Sequence, residues 1–293
     1  MARLGLAALL TGATGIAFAP IWVRLSEVGP SATAFHRLFF ALPILWLWLA
    51  VENRREPPPN KPRTPAAFGL LAAAGFFFAG DLAVWHWSIK LTSVANATLL
   101  ANFAPIFVTL GARVLFGERI TWKFVAGMLL ALAGGAMLAG VSFTRTMRHV
   151  LGDALGMTTA VFYGSYLLSV KQLRRTFATG TIMAWSGLVT CPLLLLAARV
   201  SSESLAARSA TGWLVLAALA LTSQVGGQGL IAYAAAHLSA SFMSVALLFQ
   251  PAVAALLGWV LLGEAMTPFQ ILGAAVVLLG IGLAGRYGQT ASA

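Results

Sequence analysis

The stretch ATLLANFAPIFVTLGARVLFGERITWKFVAGMLLALAGGAMLA, residues 97–139, recurs 146 positions later as MSVALLFQPAVAALLGWVLLGEAMTPFQILGAAVVLLGIGLAG, residues 243–285. Pro105, Glu118, Gly127 and Gly134 align with Pro251, Glu264, Gly273 and Gly280, every pair at the same offset. Phe103/Phe249, Val114/Val260, Leu115/Leu261, Gly117/Gly263, Thr121/Thr267 and Leu132/Leu278 follow it too. Each copy is an apolar run, a short polar break at Gly-Glu, and a second apolar run. A constant offset without a gap marks a duplication, with a unit of about 145 residues. The units are drawn as 1–146 and 147–293.

Composition fixes the medium. A soluble domain carries roughly 25% charged residues. This chain has 9% charged and 59% hydrophobic residues, too little polar surface to face water all round. Apolar runs of about 20 residues recur from end to end, the length of a helix crossing ~30 Å of hydrocarbon. No segment shows the ten-residue alternation of a membrane β-strand. The net charge of +11 fits basic loops that set orientation in a bilayer, and no nucleic-acid partner is implied. The single Cys191 lies inside an apolar run, so no internal disulfide is available. The amino terminus imitates a signal peptide, but its apolar run is long and Pro20 follows Ala17-Phe18-Ala19; it reads as an uncleaved first span.

Ten spans can be drawn: 3–23, 31–51, 66–89, 94–114, 120–140, 153–172, 178–198, 212–235, 239–262 and 268–286. Ten spans put both termini on one side. Twelve basic residues fall on that side and six, Arg145 among them, on the other, with Arg37 inside the second span. This favours cytoplasmic termini. Five spans per unit is odd, so the second unit enters the bilayer upside down. Glu118 then ends span 4 at one face and Glu264 ends span 9 at the opposite face. The expected fold class is an all-α polytopic membrane protein, with ten transmembrane helices as two inverted five-helix repeats around a central cavity. Inverted repeats are a hallmark of secondary transporters, because two halves that exchange conformations give states open to opposite sides.

The paired Pro–Glu–Gly–Gly pattern and the Arg37 region resemble the EamA-type branch of the drug/metabolite transporter (DMT) superfamily over nearly the whole chain. Within it the chain looks most like YddG-type aromatic amino-acid exporters. The resemblance implies a cavity formed mainly by spans 1, 3, 4, 6, 8 and 9, and a place in the bacterial inner membrane. It does not settle the cargo.

Asp81 is the acidic residue deepest in a span, and Arg37 lies at matching depth, both roughly 10–12 Å below the non-terminal surface at 1.5 Å per residue. An Arg37–Asp81 ion pair is the structural reading; contact with substrate or a proton is the functional one. His86 could join that network. Helical spacing puts further cavity residues on shared faces: Phe18 and Trp22; Asp81 and Trp85; Asn96 and Phe103; Tyr163 and Tyr166; Gln224 and Gln228; Phe242, Phe249 and Gln250. Buried amides need partners and so face the protein interior or a wet cavity, as interhelical contacts or as ligand contacts. Pro105 and Pro251 each remove a helix hydrogen bond, giving gating hinges or fixed kinks. Glycines of spans 5 and 10 allow close helix packing.

Enzyme motifs are missing from the sequence. Trp185-Ser186-Gly187 has no Gly-x-Ser turn before it, and there is no HExxH, paired intramembrane carboxylate, metal-ligand cluster or P-loop. No cofactor and no ATPase subunit are implied. Phosphorylated cargo would need several cavity cations. Arg37 and Lys90 are the only ones on offer, so small neutral, zwitterionic or mildly cationic metabolites fit better. Amino acids, aromatic ones included, are the expected substrate, exported across a lipid bilayer by alternating access. Sugar phosphates, nucleotide sugars and cationic drugs are the alternatives, with an intramembrane enzyme behind them. Oligomeric state is not legible.

Overall fold

The computed structural model of the protein describes residues 2–55, 61–139 and 147–288. Arg145, part of the charge tally above, lies outside the described residues, as do 56–60 and 141–146 of two connections. The described residues form ten helical spans in order. They are α1 (Ala2–Ala17, continuing as Ala19–Leu25), α2 (Pro30–Arg55), α3 (Pro65–Leu91), α4 (Val94–Ala101, then Ala104–Phe116) and α5 (Trp122–Ala139). The second half comprises α6 (Met147–Leu173), α7 (Thr179–Val200), α8 (Ala210–Leu219, a π-helical stretch Ala220–Gln228, then Gly229–Ala234), α9 (Ala240–Ala246, then Phe249–Leu262) and α10 (Pro268–Gly288). Among the described residues, nine of these spans combine the length and hydropathy needed to cross a bilayer. The tenth, α6, has 27 residues, about 40 Å of helix, and carries Arg148, Asp153 and Lys171 near its ends.

Local chemistry explains where the helices start and stop. Thr64, Ser93, Ser209 and Ser239 each accept the backbone N–H three residues on, at 2.9–3.3 Å, satisfying a donor the helix itself leaves open. Thr267 and Gln270 exchange such bonds reciprocally at the start of α10. Gly117 and Gly263 close α4 and α9 with the same left-handed φ of 68°, which glycine adopts without a Cβ penalty. Three prolines follow breaks in their helices, whereas Pro43 and Pro192 lie inside the unbroken α2 and α7. In α4 the helix is interrupted at Asn102 and Phe103, and Pro105 sits in the first turn of the new segment, where an absent N–H costs little. In α9 the interruption falls at Leu247 and Leu248, just before Pro251, and α1 breaks at Phe18 ahead of Pro20.

The two faces of the bundle are identified by their contacts. At the terminal face, Gly5 lies against His237, Ser239 Oγ donates to Gly288 O at 3.0 Å, and Glu118 reaches the start of α9. At the opposite face, Arg24 pairs with Glu264, Lys90 with Glu203 at 2.7 Å, and Glu27 accepts from Ser209 Oγ at 2.5 Å. Glu118 and Glu264 therefore end corresponding helices on opposite sides, and the halves are inverted.

Helices α5 and α10 form the most extensive helix pair. A Cβ on Gly127 would stand 2.5 Å from Ala284 N, and one on Gly134 would stand 2.7 Å from Gly273 O. Glycine is what lets the two backbones touch. Gly127 lies against Gly280 and Gly134 against Gly273, so the contact maps onto itself when the halves are exchanged. Gly135 and Gly282 have nothing within 4 Å of a Cβ and take no part.

Candidate functional site

A cavity of about 210 Å³ opens among α1, α2, α3, α4, α6, α8 and α9. Its lining climbs to Val23 near the end of α1 and Thr33 near the start of α2, so its mouth is on the face opposite the termini. Toward the terminal face it stops at Phe78, Tyr163, Gln228 and Gln250. The six spans implied by the family resemblance all contribute, and α2 joins them through Thr33, Ala34 and Arg37.

Arg37 is buried, and its partners come from α8. Its Nε donates to Gln224 Oε1 at 3.0 Å and its Nη2 to Ser223 O at 3.4 Å. The guanidinium lies 5.7 Å from the centre of the Phe78 ring, which continues a ladder through Tyr166 at 4.6 Å to Tyr163 at 6.3 Å. The expected Arg37–Asp81 ion pair is not closed. The salt bridges among the described residues are Arg24–Glu264 and Lys90–Glu203, and the Arg37 hydrogen bonds go to Gln224 and the Ser223 carbonyl. Asp81 shares the cavity wall with it, half-buried.

Ser223, Gln224 and Gln228 lie buried in the π-helical stretch of α8. It packs on α1 at Gly12 and Gly15, where a Cβ would meet Gly227 O at 2.7 Å and Thr222 O at 2.8 Å. Single π turns within helices recur at functional sites. Among the cavity residues, Tyr163 OH, Gln228 Oε1, Gln250 Nε2 and His86 Nδ1 are buried without a well-formed hydrogen bond. Tyr163 faces both Gln250 and Gln228. Unsatisfied polar atoms in a buried wall are costly; those of Tyr163, Gln228 and Gln250 share the cavity floor, and His86 stands farther along α3 toward the mouth.

The remaining expected residues scatter. Asp81, Trp85, His86, Tyr163, Gln228, Gln250 and Pro251 line the cavity with Arg37. Gln224 and Tyr166 stand one layer behind, supporting Arg37 and Phe78. Pro105 borders a separate void of about 30 Å³ nearer the terminal face. Phe18 stacks on Trp22, whose Nε1 donates to Thr222 Oγ1 at 3.1 Å. Asn96 sits in the first turn of α4, Phe103 at its break, and Phe249 packs against the core. Phe242 is 2% exposed, wedged against Gly285 and Gly288 of α10. Phe78, Thr98, Asn102 and Thr159 line the cavity and were missed; the Asn102 signal was its place three residues before Pro105. Ser186, the enzyme alternative, spends its hydroxyl on Ile182 O of its own helix at 2.7 Å.

The terminal face is shut. Glu118, 6% exposed, accepts Ala240 N at 2.7 Å, Ser241 N at 3.1 Å and Ser241 Oγ at 2.6 Å. Lys171 Nζ donates to Ala235 O at 2.9 Å and Leu238 O at 2.6 Å beside it. At the other face the Glu264 side chain is 52% exposed.

Residues 3–140 and 150–286 match the EamA-like transporter family. The chain is 30% identical over 274 residues to a probable terminal-alkyne amino-acid exporter of Streptantibioticus cattleyicolor, covering 92% of this chain and 89% of that one. It is 26% identical over 214 residues to the pseudopaline exporter CntI of Pseudomonas aeruginosa, 72% of each chain. A solved crystal structure at 20% identity superposes with a TM-score of 0.81 over 100% of this chain and 99% of the other, a likeness of fold. With the family matched in both halves and a cavity formed among helices of both, the chain belongs to the EamA-like transporter family and is a membrane transporter.

Proposed function

We propose that this transporter exports amino acids, aromatic ones included, by alternating access across a bacterial inner membrane, with both termini cytoplasmic. Its units are 1–146 and 147–293. The observation carrying the reading is a cavity that combines one guanidinium, one carboxylate outside any salt bridge, and aromatic walls. A free amino acid presents the complementary set. Arg37 with the Tyr163 and Gln250 donors suits its carboxylate, Asp81 and the Gln228 carbonyl suit its ammonium, and Phe78 and Trp85 suit an apolar side chain. The relative named as an amino-acid exporter supports the same class.

Phosphorylated cargo fits less well. Among the described residues Arg37 is the one cation in the cavity lining, and Lys90 is held by Glu203 at 2.7 Å. A cationic aromatic drug is the second reading, favoured by Asp81 standing outside any salt bridge. Proteoliposomes loaded with labelled amino acids, a sugar phosphate or an aromatic quaternary ammonium separate the three. Amino-acid flux is expected; flux of the phosphate alone or the quaternary ammonium alone rejects the proposal.

A further inference from the structure

Glu118 and Glu264 occupy corresponding positions, each following a glycine with φ 68°, yet the two carboxylates are in different states. Glu118 is docked on the first two backbone N–H groups of α9, those of Ala240 and Ser241. Glu264 is half exposed and held by Arg24. The inverted symmetry says where Glu264 belongs when docked. The counterparts of Ala240 and Ser241, 146 positions earlier, are Val94 and Ala95, the first two residues of α4. The third donor of each helix is already met in the same way, Phe242 N by Ser239 and Asn96 N by Ser93. Each helix start thus presents the same two donors to a glutamate, and only α9 has received its own.

Burial follows the same asymmetry. Ala240–Leu248 is buried throughout, whereas residues 98–102, counterparts of 244–248, are half-buried along the cavity. Arg24 lies one position from Leu25, the counterpart of Lys171, which braces the shut side.

We propose that Glu118 and Glu264 are the alternate latches of the transport cycle. In the state described, Glu118 clasps the start of α9 and shuts the terminal face. In the opposite state Glu264 leaves Arg24 for the Val94 and Ala95 N–H groups, and Glu118 releases Ala240 and Ser241. The latches are unequal: Ser241 adds a hydroxyl to its glutamate at 2.6 Å, and its counterpart Ala95 has none. That bond biases the resting protein toward the state with the terminal face shut. The proposal rests on the reading as an alternating-access transporter, and not on its cargo.

Reporter thiols test it. In a Cys191→Ala background, Thr98→Cys reports on the cavity mouth and Ser244→Cys on the terminal side, with a membrane-impermeant maleimide applied to sealed vesicles from each face. Glu118→Gln and Ser241→Ala are expected to lower the ratio of labelling at 98 to labelling at 244, by roughly tenfold for the loss of a charge-assisted bond. Glu264→Gln is expected to raise it. Ser241→Ala keeps the test open should Glu118→Gln fail to fold. A ratio unmoved by Ser241→Ala and Glu264→Gln, or moved the same way by both, overturns the latch. Labelling needs no cargo, so opposite shifts without amino-acid flux would leave the latch standing and discard the cargo assignment; flux with an unmoved ratio does the reverse.

Discussion

Arg37 Nε donates to Gln224 Oε1 at 3.0 Å, across the packing of α2 on the π-helical stretch of α8, while Asp81 shares the cavity wall with the guanidinium. Removing the acceptor leaves a buried charge short of a partner. Gln224→Leu is expected to destabilise the protein by about 2 kcal/mol, the scale of a hydrogen bond to a charged group. Gln224→Glu, which keeps an acceptor, should cost less. Thermal unfolding in detergent measures both, and equal costs would show that the bond matters little.

If Asp81 receives the cargo's ammonium, neutralising it should act on binding. Asp81→Asn is expected to raise KM for free amino acids roughly tenfold, while N-acetylated analogues, already poor cargo, change little. Uptake kinetics in proteoliposomes decide this. An unchanged KM would remove Asp81 from the binding site.

The seam of α5 and α10 makes a prediction by contrast. Gly127→Leu drives side-chain atoms into the α10 backbone and should cost about 1–3 kcal/mol or block folding. Gly282→Ala meets nothing within 4 Å and should be neutral or gain about 0.5 kcal/mol of helix propensity. Yield of monodisperse protein and its melting temperature separate the two.

Glu27, outside the spans, has its carboxyl held below the ordinary range. The chief cause is the Ser209 hydroxyl, with the Arg208 and Ser209 backbone N–H groups adding to it against some desolvation. A carboxyl whose folded pKa is depressed contributes stability above its unfolded pKa and loses it as pH falls through the folded one. Melting temperature should therefore fall on acidification below the ordinary carboxylate range, and Glu27→Gln should be less stable near neutrality with a shallower acid slope. Parallel slopes would show that the Ser209 contact is not linked to folding.

Much of the architecture was legible because it depends on local composition and on the repeat. Apolar run length fixed the spans, and an odd number of spans per unit fixed the inversion that the positions of Glu118 and Glu264 bear out. The cavity lining was legible where spacing puts residues on one helix face, as at Asp81, Trp85, Tyr163, Gln228 and Gln250. What escaped depends on tertiary register. Depth matched Arg37 to Asp81, but partner choice turned on the π-helical stretch, which no periodicity announces, and it delivered Gln224 first. Phe242 shares a face with cavity residues in sequence terms, yet it is buried against Gly285 and Gly288 of α10, a contact that helical spacing does not announce.

The glycine seam carries one more consequence. Its Gly127–Gly280 and Gly134–Gly273 contacts exchange with each other when the halves are swapped, so under the alternating access proposed above it would fit both end states equally and serve as a stationary pivot. A frame built so evenly supplies no arrow. Whatever sends cargo outward must come from residues that one half has and the other lacks, or from the gradients the membrane itself maintains.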